Sequence, residues 1–160
     1  MTRQYCHIGT RTIAYLDSAP GDNHLRVLVL LHAFPIGANL WEPQMRSIPP
    51  GWRLITPDLR GFGGSTEPDS VSGLSIADYA ADVVDLFGEL GVKRAVVVGC
   101  SMGGYAALAL YQSTPELFDG LTSAHAHGCR DRIGIDPIPG DDSHCSRISQ
   151  RHACSRIDNV

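Results

Sequence analysis

Residues 95–110 read Ala95-Val96-Val97-Val98-Gly99-Cys100-Ser101-Met102-Gly103-Gly104-Tyr105-Ala106-Ala107-Leu108-Ala109-Leu110. A β-branched run, a G-x-S-x-G pentapeptide and an alanine-rich helical stretch follow one another without a gap. That is the strand, sharp turn and helix in which such a pentapeptide exposes its serine. The turn is so tight that the positions two before and two after the serine must be small, which lifts the Ser101 hydroxyl clear of the sheet edge. Ser101 is therefore the first candidate nucleophile. Taken without its context, the pentapeptide would also suit a serine in an ordinary glycine-rich turn.

Outward from this point the chain alternates strand-like and helix-like text. Tyr5 to Ile8 and Thr12 to Tyr15 are β-prone and flank Gly9-Thr10, which predicts a hairpin and an antiparallel start to the sheet. Arg26 to Leu31 is a continuous apolar run, as expected of a parallel strand buried on both faces, and Arg53 to Thr56 is a shorter one. Ser75 and Asp78 form a capping-box pattern ahead of Ile76, Tyr79, Ala80, Val83, Phe87 and Leu90, which recur at helical spacing until Gly91. This predicts a crossover helix. A second helix should run from about Met102 to Ser113 before Pro115 breaks it. Strands alternating with helices specify an α/β fold with a doubly wound, mostly parallel sheet.

The chain has 160 residues, the length of about one domain. Its net charge is -4, and the 13 basic residues, Lys93 the only lysine, form no stripe suited to phosphates, so nucleic acid is not an expected partner. The longest apolar runs fall far short of the ~20 residues a bilayer requires, and no apolar signal core follows Met1-Thr2-Arg3-Gln4. These features point to a cytoplasmic protein with no membrane partner. Five cysteines, an odd number, in such a chain are expected to be free thiols.

Three blocks occur in order: Leu30-Leu31-His32-Ala33-Phe34-Pro35, then Thr56-Pro57-Asp58-Leu59-Arg60-Gly61-Phe62-Gly63-Gly64-Ser65, then Val98-Gly99-Cys100-Ser101-Met102-Gly103-Gly104-Tyr105. Together they resemble the α/β-hydrolase superfamily. His-Ala-Phe-Pro followed by Trp41-Glu42-Pro43-Gln44 is most similar to its enol-lactonase, esterase and cofactor-free haloperoxidase branches. The resemblance covers residues 5–121. It implies a serine hydrolase acting on an ester, lactone or similar small-molecule acyl substrate through an acyl-enzyme on Ser101, with no cofactor. Ser101 matches the nucleophile, and the backbone N–H groups of Phe34 and Met102 match the two oxyanion-hole donors. Ala33 stands where a second glycine is common. By the same resemblance His32 is a structural residue that orients the loop, and Asp58 and Arg60 hold their glycine-rich turn by hydrogen bonds. Cys100 is either a reactive thiol or a small side chain packed inward. Trp41 either edges an acyl pocket or packs in the core.

The family's triad continues with an acid and then a histidine on later strands. From about Leu121 this pattern is lost. The final 40 residues contain no aromatic side chain but four of the seven histidines, three of the five cysteines and five arginines. Residues 1–121 are thus expected to be the N-terminal part of a truncated α/β-hydrolase domain, and 122–160 an irregular or disordered tail. The abrupt change suggests an out-of-frame translation; the rival explanation is a genuine short variant or a domain fragment. His125, His127, His144 and His152, with Asp131, Asp136, Asp141, Asp142 and Asp158, stand in no family-like frame, so the catalytic acid and base are not identifiable. The tail's His and Cys spacing fits no compact zinc pattern, and no metal is expected. A non-catalytic truncated remnant of the fold remains the alternative to a working hydrolase.

Overall fold

The computed structural model describes residues 2–65 and 73–124. The elements are β1 (Arg3–Ile8), β2 (Arg11–Asp17), β3 (Arg26–Leu31), α1 (Glu42–Met45), β4 (Trp52–Pro57), α2 (Ile76–Leu90), β5 (Ala95–Cys100), α3 (Met102–Ser113) and β6 (Phe118–Ala124). The strands form one sheet in the order β1-β2-β4-β3-β5-β6. β1 and β2 make the predicted hairpin, with Ile8 opposite Arg11 and Gly9 at φ 60° in the turn. β2 is antiparallel to β4, whereas β4, β3, β5 and β6 are mutually parallel.

Strand alternation divides the core. Val27, Val29 and Leu31 of β3, Ile55 of β4 and Ala95 and Val97 of β5 belong to one cluster with Val83, Leu86 and Phe87 of α2 and Ala106, Ala107 and Leu110 of α3. Leu30, Leu54 and Val98 belong to a second cluster with Ala38 and Met45 of the segment around α1. Helices therefore flank both faces of the sheet. α2 starts on a full capping box between Ser75 and Asp78. It ends in a Schellman motif, where the Gly91 amide donates to Gly88 and the Val92 amide to Phe87, with Gly91 at φ 65°.

β2 and β4 are further joined by a buried ion pair, in which Arg53 Nη2 lies 2.7 Å from Asp17 Oδ2 and Arg53 Nη1 donates to Asn23. β6 runs past Leu121 to Ala124, so Thr122, Ser123 and Ala124 are sheet and not part of an irregular tail. The reason is long-range: their backbone partners are Val98, Gly99 and Cys100 of β5, which composition cannot reveal. The expectations for 125–160 lie outside the described residues. No helix among the described residues is long and apolar enough to cross a membrane.

Candidate active site

The topology itself marks a site. From β3 the chain crosses by way of α1 to β4 on one side, and from β5 it crosses by way of α3 to β6 on the other. The loops leaving the neighbouring ends of β3 and β5 diverge, and a crevice at such a switch point is where open α/β sheets bind ligands. The loop after β3 carries His32, Ala33 and Phe34; the turn after β5 carries Ser101 and Met102.

Ser101 sits between β5 and α3 at φ 50° and ψ -114°, the one non-glycine with positive φ among the described residues. An L-residue is strained there, a cost of order 1–3 kcal/mol that surrounding structure must impose. The three glycines around it show how. A Cβ on Gly99 would lie 2.3 Å from the Gly103 carbonyl oxygen, and a Cβ on Gly103 only 2.4 Å from the Leu31 carbonyl oxygen. A Cβ on Gly104 would meet Ser123 Oγ at 2.3 Å. The elbow can close, and α3 can press onto β3 and β6, only without side chains at these positions. Ser101 occupies the N-cap position of α3, yet its side chain makes no capping hydrogen bond. Its carbonyl accepts from Gly104 and Tyr105 instead, leaving the Met102 amide in the first helical turn.

His32 is fully buried at the end of β3. Its Nε2 accepts the Leu59 amide at 2.9 Å, so the ring proton is on Nδ1, which donates to the Ala33 carbonyl at 3.0 Å. Burial holds its pKa below the usual 6.5, opposed by the Ala33 hydrogen bond and the Asp58 charge. With both nitrogens engaged, this imidazole orients loops. Phe62 packs edge-on against the His32 ring at 5.3 Å and against Phe34 at 5.8 Å. Phe34 itself is 67% exposed, an apolar side chain on the loop after β3.

Asp58, also fully buried, links the two loops: Oδ1 accepts the Ala38 amide at 2.7 Å and Oδ2 the Gly64 amide at 2.9 Å. Ser65 donates to the Asp58 carbonyl and accepts the Ala14 amide. Asp58 therefore holds its turn as expected. Arg60 does not pair with it; its guanidinium grips Asp82 of α2, which Arg11 of the hairpin also engages. Trp41 packs against the second core cluster. Cys100 is a half-buried free thiol. Arg3, Asn39 and Asp82 were not legible as partners of this region, because nothing local in the sequence ties them to it.

Of the described histidines, His32 has both ring nitrogens engaged with Leu59 and Ala33, and the other two lie away from Ser101. His7 is on β1, four strands from β5, or about 19 Å at the usual spacing. His24 precedes β3 and so lies at the opposite end of the parallel strands. His125, His127, His144 and His152, and every carboxylate of the tail, fall outside the described residues. No group of three or more metal-ligating side chains gathers among the described residues.

A family profile described as the alpha/beta hydrolase fold matches residues 26–137. Epoxide hydrolase 3 of Xenopus tropicalis is 37% identical over 89 residues, which are 56% of this chain and 24% of that protein. The AB hydrolase superfamily protein YfhM of Bacillus subtilis is 30% identical over 115 residues, 71% of this chain and 40% of that protein. The structure of a thermophilic esterase from Thermogutta terrifontis superimposes with a TM-score of 0.66 at 30% identity, covering 77% of this chain and 45% of that one. The chain thus spans less than half the length of each of these proteins. With the profile match, the sheet order and the strained serine between β5 and α3 in agreement, the chain belongs to the alpha/beta hydrolase family.

Proposed function

We propose that Ser101 is the nucleophile of a hydrolase for esters, lactones or similar acyl substrates, with the Phe34 and Met102 amides as oxyanion donors. The observation that carries this reading is the backbone of Ser101, held at φ 50° with its hydroxyl released from capping α3. The hydroxyl proton passes to a base as Oγ bonds to the acyl carbon; the carbonyl oxygen takes the negative charge. Collapse breaks the bond to the leaving oxygen, which takes the proton back from the base and departs as the alcohol. Water then gives a proton to the base, attacks the acyl-serine and releases the acid as Ser101 Oγ recovers its proton. One oxyanion donor is worth about 3 kcal/mol in such a transition state. No cofactor enters these steps.

The relatives' names span epoxide hydrolase and esterase. The chemistry of a serine separates them. An alkoxide that opened an epoxide would form an ether, which water does not cleave. On an acyl carbon the same oxygen forms an ester that turns over. Ser101 therefore favours an acyl substrate.

A second reading, a non-catalytic remnant, is favoured by the position of the described histidines, none of which serves Ser101. A fluorophosphonate probe on the full-length chain decides between them. A working hydrolase is labelled at Ser101 and Ser101→Ala abolishes the label; a remnant stays unlabelled.

A further inference from the structure

We propose that Arg3, on the first strand, is a positioning residue for the Phe34 amide, acting through Asp58 and Asn39; this rests on the reading of Phe34 as an oxyanion donor. The strand register brings Arg3 to the right end of the molecule. Arg3 is opposite Leu16, and Leu16 is opposite Thr56, near the end of β4 and hence beside the loops that follow the parallel strands.

The Arg3 guanidinium divides between two partners. Nε lies 3.2 Å from Asp58 Oδ2, and Nη2 donates to Asn39 Oδ1 at 3.2 Å. The Nε–H is not aligned with the carboxylate, so this first contact is one of charge more than of directed hydrogen bonding. Its stem rests on Gly64, where an added Cβ would come within 3.1 Å of Arg3 Cδ.

Asp58 is enclosed by backbone. A Cβ on Gly63 would fall 2.2 Å from its carboxyl carbon, and one on Gly37 would fall 2.7 Å from Oδ1. Among the described residues, Arg3 is the cation paired with this buried carboxylate. A buried charge that loses its partner is strongly disfavoured, and water drawn in to solvate Asp58 would compete for its oxygens and loosen the hydrogen bonds it accepts from the Ala38 and Gly64 amides.

Those amides matter because of where they lie. The loop carrying Phe34 is anchored upstream by β3 and His32, and it turns through the Ile36 to Ala33 hydrogen bond. Downstream it is anchored at Ala38 by Asp58 and at Asn39 by Arg3. With both ends held, the direction of the Phe34 N–H is set. Loss of Arg3 weakens both downstream anchors together.

The test is amide NMR on the 15N-labelled full-length chain and on Arg3→Met, Arg3→Lys and Asn39→Ala. In Arg3→Met the Ala38 amide should exchange about tenfold faster or more, and the Phe34 amide should broaden, while Val83 and Leu86 of α2 keep their rates. Arg3→Lys should restore most of the protection, and Asn39→Ala should give a smaller effect at the same two amides. Unchanged Ala38 and Phe34 signals, an equal acceleration throughout α2, or no rescue by lysine would overturn the proposal. Should Arg3→Met not fold, an Asn39→Ala spectrum identical to that of the parent would overturn it equally. Phosphonate labelling of Ser101 reports separately on the reading of the site. A labelled chain with an indifferent Ala38 loses only the role of Arg3, and an unlabelled chain with the shifted amides loses only the reading of the site.

Discussion

Gly103 lies against the Leu31 carbonyl so closely that a Cβ on it would sit 2.4 Å from that oxygen, and 2.6 Å from the carbonyl of His32. The helix that starts at the serine is thus docked directly on the end of the neighbouring strand. Because the obstructing atoms are backbone, they cannot swing aside. Gly103→Ala should destabilise the fold by about 1–3 kcal/mol, the usual cost of overpacking, and Gly99→Ala should do the same. Urea denaturation of both variants checks this; an unchanged midpoint would mean that the elbow has room to open.

Strain at Ser101 has a measurable counterpart. Glycine reaches φ 50° and ψ -114° without the Cβ penalty, so Ser101→Gly should raise stability by about 1 kcal/mol while removing the proposed nucleophile. The corresponding alanine variant keeps its Cβ and should not gain. Comparing the thermal midpoints of the two variants separates relief of backbone strain from loss of the hydroxyl.

The buried ring of His32 should make the protein sensitive to acid. Its folded-state pKa lies below the usual 6.5, so below that pH the unfolded chain binds a proton that the folded chain refuses. The His32 contribution is present in full above about pH 6.5 and is lost as pH falls toward the folded-state value. His32→Leu should remove this slope, visible as the difference between the two stability profiles. At neutral pH the same variant should cost about 1–3 kcal/mol, since the Leu59 amide loses its acceptor.

Between β2 and β4, the Asp17–Arg53 pair is 0% and 1% exposed at its side chains. Arg53→Ala should cost about 3–5 kcal/mol because it strands a buried carboxylate. The double variant Asp17→Leu with Arg53→Met should recover most of that loss. A double variant as unstable as the single one would place the cost in lost packing around Asn23 instead.

How much was legible differs between elements for a physical reason. The helix from Ile76 to Leu90 was readable because its capping box and its glycine end lie within the segment itself, each joining residues three to five apart. The elbow was readable because its tightness demands small residues at fixed offsets from Ser101. β6 was not, since its last three residues owe their strand conformation to pairing with β5.

Sequence alone therefore determined what short-range sterics and hydrogen bonding control: the hairpin, the buried strands, the capped helix and the tight turn that carries Ser101 between strand and helix. Tertiary structure decided which loops meet. It placed β3 beside β5, although β4 and α2 separate them along the chain, and so brought the loops carrying Phe34 and Ser101 to the same end of two neighbouring strands. It also joined Asp58 to Ala38 across 20 positions and Arg3 to Asn39 across 36. Such contacts depend on strand order and register, which no local pattern of residues encodes.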